Sequence, residues 1–293
     1  DIKIEKRGVL MDFNKLRNDL KNRYFSTWEY FSNGFNALKV FSKKHPILLF
    51  FHFLFSFFLG VVVIFQGAEI MVVMDKIVKK YGSAKINSNE FVKSKEFNEL
   101  TSEVMLFILC FIIVYLIIRF ISAVIRKKMG LEVEERENEF SIVETIVKFL
   151  TITFVNIVLQ VFLIILGIII TVFTRSTLSF LILWIILQLN LLYFEQAYYL
   201  RKINIIEAFK YNFYISKGNR IRMLTVLLTI FTVFVGINYF LGWLFEATIK
   251  NQVTLMTVNA VFGGIAGLLY TVLGTMVSNL VYLNLEYIDF NNS

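Results

Sequence analysis

A chain of 293 residues that is 57% hydrophobic and carries 32 Phe is too apolar for a soluble core of its size. Its net charge of +8 sits in the joints between apolar runs rather than across one face, which argues against nucleic acid as a partner. The single cysteine, Cys110, excludes an intrachain disulfide, and His45 and His52 share no ligand spacing with it, so neither a metal centre nor a cofactor is expected.

In chain order, residues 1–25 read as a polar N-terminal tail. Within it Lys6-Arg7-Gly8-Val9-Leu10-Met11 back-translates, with AT-rich codons, to a purine-rich ribosome-binding site before ATG. Met11 is therefore expected to be the initiator and residues 1–10 translated leader. The next segment, 26–44, places Trp28, Phe31, Phe35, Leu38 and Phe41 on one helical stripe, with Asn33, Asn36, Lys39 and Lys43 mostly opposite. Such a helix lies flat at the headgroup level. Six apolar runs follow, at 46–67, 104–125, 149–173, 177–199, 223–245 and 258–285. Each meets the ~20 residues a helix needs to cross a bilayer, where the backbone must satisfy itself. The first run lacks a cleavage site after it, so no signal peptide is expected.

The joints before the odd-numbered runs look alike. Ser26-Thr27-Trp28-Glu29, Ser141-Ile142-Val143-Glu144 and Asn204-Ile205-Ile206-Glu207 each have a capping residue with Glu three positions on. In such a box the cap oxygen and the Glu carboxylate satisfy each other's backbone N–H. Residues 205–217 repeat the amphipathic design with Ile206, Phe209 and Phe213, and Gly218 fits a helix stop. The expected fold class is all-α: one membrane domain over 26–290, an integral bundle of six transmembrane helices with amphipathic interfacial helices preceding the odd-numbered spans. With the N-terminus inside, segments 1–45, 126–148 and 200–222 hold 10, 5 and 6 Lys/Arg, against 6, 1 and 1 in 68–103, 174–176 and 246–257. That bias puts both termini in the cytoplasm and attracts anionic lipid headgroups.

The stretch from Glu195-Gln196-Ala197 through Glu207-Ala208-Phe209-Lys210 and Asn212 to Ser216-Lys217-Gly218-Asn219 resembles the joint between the fourth and fifth spans of a bacterial family. That family comprises YciC-like inner-membrane proteins and the membrane domains attached to some glycerophosphoryl diester phosphodiesterases. Its pattern is an acid near the end of a span, then "EA", then a K-G-N turn. Asn36-Ala37-Leu38-Lys39 and Ser42-Lys43-Lys44 echo it before the first span. The resemblance implies a six-helix domain of a bacterial inner membrane. The catalytic phosphodiesterase domain has no counterpart here, so that activity is not carried over.

Polar side chains inside apolar runs are costly and are functional candidates. His52, Arg119 and Glu195 lie ~9–10 Å in from the cytoplasmic ends of their runs, and Asn156 and Asn279 ~10–12 Å, at 1.5 Å per residue. These five form a candidate cluster, with Arg119 expected to face Glu195 and His52 nearby. The pair reads either as a structural ion pair or as part of a ligand site. Gln160, Gln188, Asn190 and Asn238 read as interhelical hydrogen-bond partners. In the sixth run Gly263, Gly267 and Gly274 offer a small face for helix packing or homodimerisation. Trp28, Phe31, Phe35, Phe209 and Phe213 are the expected membrane-interface residues.

No H-E-x-x-H, G-x-S-x-G or P-loop occurs, so no catalytic residue is assigned and an enzyme is not expected. The leading expectation is a non-enzymatic accessory or scaffold protein of a bacterial inner membrane that engages lipids or a protein partner. The alternative is a small-solute transporter or channel that uses the polar cluster.

Overall fold

The computed structural model describes residues 13–81, 93–174 and 193–292, together with Leu178, Phe180, Trp184 and Leu191. Among these all regular structure is helical: α1 (Phe13–Asn22), α2 (Thr27–Lys44), α3 (Pro46–Val61), α4 (Gly67–Tyr81), α5 (Lys95–Val133), α6 (Ile142–Thr174), α7 (Phe194–Leu200), α8 (Ile205–Ser216), α9 (Arg220–Thr248) and α10 (Gln252–Asn292). Five stretches are long and apolar enough to cross a membrane: Pro46–Lys80, Lys95–Val133, Ile142–Phe173, Arg220–Thr248 and Gln252–Asn291. The leader at 1–10, most of the fourth run, and Gln188 and Asn190 within it, lie outside the described residues.

The helices outrun the apolar runs that seeded them. The external link expected at 68–103 is largely helical: a π-helical turn, Val62–Gln66, joins α3 to α4, and α5 starts at Lys95. Val73 and Ile77 pack there against Phe97 and Leu100, and Lys80 pairs with Glu96. At 39 and 41 residues, α5 and α10 extend ~60 Å, about twice the hydrocarbon core. Their polar ends continue as helix because they pack on protein.

Two of the three capping boxes form in full. Ser26 accepts from the Glu29 N–H while Glu29 accepts from the Ser26 N–H at 2.8 Å, and Asn204 and Glu207 do the same. The third is half made. Ser141 caps the Glu144 N–H at 3.3 Å, but the Glu144 carboxylate turns to Lys127 and Lys148, each 2.8 Å away. Two ammonium groups outcompete one backbone N–H for a carboxylate. Gly218 follows α8 with φ of 84°, a conformation that favours glycine.

The chain divides into two compact units. The first comprises Asp1–Pro46, Ser122–Thr232 and Thr271–Ser293. Its axis is the C-terminal half of α10, where Met276, Val277, Leu280, Val281, Tyr282 and Leu283 are all sealed from solvent. A helix buried all round needs partners on every side. Leu16 and Leu20 of α1 are buried in this unit, as are Tyr30, Ala37 and Phe41 of α2. Gly34 lets α2 approach α10 closely: a Cβ there would stand 2.6 Å from Val277. The expected α2 stripe divides accordingly. Phe31 is buried with the α10-facing side, while Trp28 and Phe35 remain 77% and 54% exposed. At the centre of the unit, buried Asn284 accepts from the Phe25 N–H and the Tyr30 hydroxyl and donates to the carbonyls of Leu20 and Arg23.

The second unit comprises Ile47–Ile121 and Val233–Tyr270. It leaves Ile47, Phe50, Met105, Leu109, Phe240 and Trp243 exposed, an apolar surface of the kind that faces lipid. Its tight crossing sets α3 against α10, and the expected small face is displaced by one residue. A Cβ on Gly264 would lie 2.9 Å from the Phe57 backbone and one on Gly60 3.1 Å from the Ala260 carbonyl, whereas Gly263 and Gly274 meet nothing within 4 Å and Gly267 is in ordinary contact with Ser56. The sequence shows two adjacent glycines; only the partner helix decides which one faces it.

That displacement is directly testable. Gly264→Ala should destabilise the protein by ~1–3 kcal/mol through overpacking, while Gly263→Ala should be neutral or slightly stabilising. Thermal unfolding in detergent compares the two, and equal effects would show that the crossing is misassigned.

Candidate functional site

Three of the five polar residues expected to cluster come together, all in the first unit. Glu195 opens α7 and forms an ion pair with Arg126 of α5; the Asn156 side-chain amide of α6 donates to it at 3.3 Å. Asn279 of α10 donates to the Arg126 carbonyl at 2.8 Å. The Arg126 guanidinium also lies 5.7 Å from the Tyr199 ring centre. His52 and Arg119 belong to the second unit. There His52 is fully buried, with the Ser56 hydroxyl 3.3 Å from its Nδ1, and Arg119 is half-buried. Arg126 was passed over in the sequence because it marks the end of an apolar run, yet α5 continues for two turns beyond it.

A larger constellation, absent from the sequence expectation, lies about two turns further along α5 and α10. Arg201 follows the last turn of α7, and Gly130 lets α7 come close enough to α5 that a Cβ there would overlap Leu200. The Arg201 guanidinium donates two parallel bonds of 2.8 Å to Glu134. On its other edge it engages both oxygens of Glu286, with Nε at 2.7 Å from one of them. Tyrosine hydroxyls fill the remaining lone pairs: Tyr211 and Tyr282 donate to Glu286 at 2.7 and 3.0 Å, and Tyr287 to Glu134 at 3.2 Å. Arg136 adds a second cation, 3.2 Å from Glu134. Two carboxylates therefore meet two guanidiniums, and the charges balance. The side chains of Glu286 and Glu134 are only 2% and 7% exposed, so this balance is what makes their burial tolerable.

The end of α5 is shaped to deliver Glu134. The Arg136 N–H reaches back to the Leu131 carbonyl at 2.8 Å, which forces Glu135 to φ of 58°. A non-glycine residue pays ~1–2 kcal/mol for that conformation. Arg17 of α1 secures it, pairing with the Glu135 carboxylate at 3.0 Å and donating to the Glu134 carbonyl at 3.3 Å. A parallel set of contacts fixes the neighbouring joints. Glu132 takes His45 at 2.5 Å, and Lys148 donates to the Arg201 carbonyl at 2.8 Å.

Burial works against the charge on Arg201, but hydrogen bonds to Glu286 and Glu134 and the charge of Glu286 more than offset it and raise its pKa, so it remains a cation. Burial, then the Glu286 charge, pushes the Tyr211 hydroxyl up, so it remains a donor. Hydrogen bonds from Arg136 and then Lys202 hold Glu139 down at about 2. Beside Arg201 opens a cavity of about 730 Å³, walled by Ile203, Tyr211, Tyr214, Tyr287 and Phe290 with Lys210 at its edge. The arrangement can bind and orient. Among the described residues no three of His, Cys, Asp and Glu gather as a metal site.

The interface residues fall into two groups. Trp28, Phe35, Ile206 and Phe213 project outward from α2 and α8. Phe209 instead stacks on Phe194, ring centres 4.2 Å apart, which ties α8 to α7. No family model, curated protein or solved structure matches this chain.

Two outcomes follow from the Arg201 geometry. Arg201→Gln strands two buried carboxylates and should cost ~3–5 kcal/mol. Adding Glu134→Gln and Glu286→Gln should recover a large part of that loss in chemical denaturation; no recovery would mean the network is not mutually dependent. For Glu139 the depressed pKa means its stabilisation is complete above its ordinary value of 4.5 and fades as pH falls toward about 2. Hydrogen-exchange protection of residues 134–141 should decline across that window, and a flat profile would remove Glu139 from the account.

Proposed function

We propose that the chain is a non-enzymatic, six-span protein of a bacterial inner membrane, a scaffold that engages anionic lipid headgroups, with both termini and the charged first unit on the cytoplasmic side. The observation that carries this reading is how the charges at the ends of the candidate spans are used. Arg126 with Glu195, Arg201 with Glu134 and Glu286, and Lys127 with Glu144 neutralise one another between helices, and Lys148 adds a second cation to Glu144 on its own helix. Ion pairs of this kind fix helix positions and leave little charge with which to bind and release a solute. To the five candidate spans this reading adds the fourth apolar run of the sequence, 177–199. On α2 and α8 the outward Trp28, Phe35, Ile206 and Phe213 sit beside Lys39, Lys43, Lys210 and Lys217, the composition of helices that rest on a headgroup layer. The resemblance to YciC-like membrane proteins and phosphodiesterase-attached membrane domains supports the same architecture.

A transporter is the second reading. It draws on the π-helical turn Val62–Gln66 within the first candidate span and on the buried Gln66 side-chain oxygen there, which has no hydrogen-bond partner among the described residues. Such turns accompany functional sites in membrane helices.

Orientation is testable with Cys110→Ser as background. Lys93→Cys should react with an impermeant maleimide in intact cells, and Lys202→Cys only after lysis; the opposite pattern reverses the topology. Purified protein in proteoliposomes should pass no ions or small solutes, yet retain phosphatidylglycerol over phosphatidylcholine when extracted for native mass spectrometry. Solute flux would replace the scaffold reading with the transporter.

A further inference from the structure

Most described arginines are matched by a carboxylate: Arg17, Arg23, Arg126, Arg136 and Arg201 each form an ion pair with Glu. Arg220 and Arg222 differ. They open α9 just after the Gly218 turn, and neither pairs with any described acid. The Arg222 guanidinium sits over the Tyr24 ring, 3.7 Å from its centre, and its side-chain hydrogen bond to Asn219, at 3.4 Å, is long. Stacking fixes the plane of the guanidinium and leaves its N–H fork open.

That fork borders a surface cavity of about 750 Å³. Hydroxyls and an amide supply its polar wall, from Ser26, Thr27, Asn219 and Thr225, and no carboxylate lines it. Lys217 and Arg220, both exposed, stand beside it in sequence. The Ser26 hydroxyl donates to Glu29 and the Thr225 hydroxyl to the Ile221 carbonyl, so Thr27 is the hydroxyl left to donate beside Arg222. A cation stacked on a ring, with no carboxylate in its cavity wall and exposed Lys217 and Arg220 close in sequence, is incomplete without an anion. A planar fork matches two oxygens of a tetrahedral anion, and the Thr27 hydroxyl can donate to a third. The volume is that of a small-ligand site and exceeds what a bare phosphate fills. Arg222 is also the last charge before the apolar run at 223–245, which places the cavity at the end of a candidate span.

We propose that this cavity binds a phosphate ester, with Arg222 as its principal ligand and Tyr24 as the platform that orients it. The same chemistry is offered by the phosphodiester of a membrane lipid and by a soluble phosphate ester. In its lipid form the proposal rests on the headgroup-binding reading above and names its site.

The test uses the full chain in a neutral detergent, titrated calorimetrically with dihexanoylphosphatidylglycerol, with glycerol phosphate and with inorganic phosphate. Binding of the short-chain lipid alone identifies a lipid site; equal binding of glycerol phosphate identifies a soluble ester; either supports the proposal. Arg222→Gln should weaken that binding by about tenfold or more, the loss of a charged hydrogen-bond pair. Arg23→Gln, whose parent pairs with Glu29 nearby, should leave it unchanged. Should Arg222→Gln fail to fold, Arg222→Lys keeps the charge and loses the stacked fork, and should bind severalfold more weakly. No binding by the native protein, or equal binding by a folded Arg222 variant, overturns the proposal. Phosphatidylglycerol retention from mixed nanodiscs separates the two readings. Retention that is equal in native protein and Arg222→Gln sinks this cavity alone, while no preferential retention by the native protein sinks the headgroup reading itself.

Discussion

Arg201 stands between Glu134 and Glu286, and most of the first unit is arranged around that contact. Three pieces of chain far apart in sequence meet at one guanidinium: the turn after α5, the link from α7 to α8, and the last turns of α10. None of the three charges tolerates isolation at such burial, so each fixes where the others lie. The tyrosine hydroxyls that complete the carboxylates extend the constraint to α8 and to two further positions on α10. A hydrophobic core alone would permit helices this apolar to slide and rotate against one another. The ion cluster removes that freedom.

The same constraint explains the local irregularities nearby. Glu135 holds a strained backbone because the turn it makes aims Glu134 at Arg201, and Arg17 from α1 secures the strained residue. Glu144 leaves its capping role because two lysines beside the cluster need an anion. The Lys148 bond to the Arg201 carbonyl then connects that second set of charges to the first. What resemble separate surface pairs in a list of contacts form one continuous polar layer across five helices.

Much of the helical architecture was legible in the sequence. Long apolar runs impose helices whatever their neighbours do, and Ser26/Glu29 and Asn204/Glu207 announce helix starts through bonds that are purely local. The misses share a cause, which is that they depend on a partner helix. Whether Gly263 or Gly264 faces α3 is a matter of 100° of rotation that one helix cannot reveal. The α2 stripe looked uniform, but Gly34 admits α10 on one side and so buries Phe31 while leaving Trp28 and Phe35 outside. Arg126, Arg201 and Glu286 stand at or just past the ends of apolar runs, where a charge on one helix shows nothing of the partner it meets. A signal was nonetheless present: Tyr282, Glu286 and Tyr287 lie on adjoining faces of a helix that carries no other acid until Asp289, an unusual place for an unneeded carboxylate.

Asn284 carries a consequence for how the protein is made. Its ties to Leu20, Arg23 and Phe25 span about 260 residues of chain, and the helix that bears it is the axis of the first unit. During synthesis α1 and α2 emerge well before α10, with Tyr30, Phe31 and Phe41 lacking the surface that later covers them. They must wait, while every intervening apolar helix is made, for the segment that completes them. The first unit therefore closes late and all at once, and its N-terminal helices depend in the interval on whatever shields apolar surface at the ribosome or the bilayer.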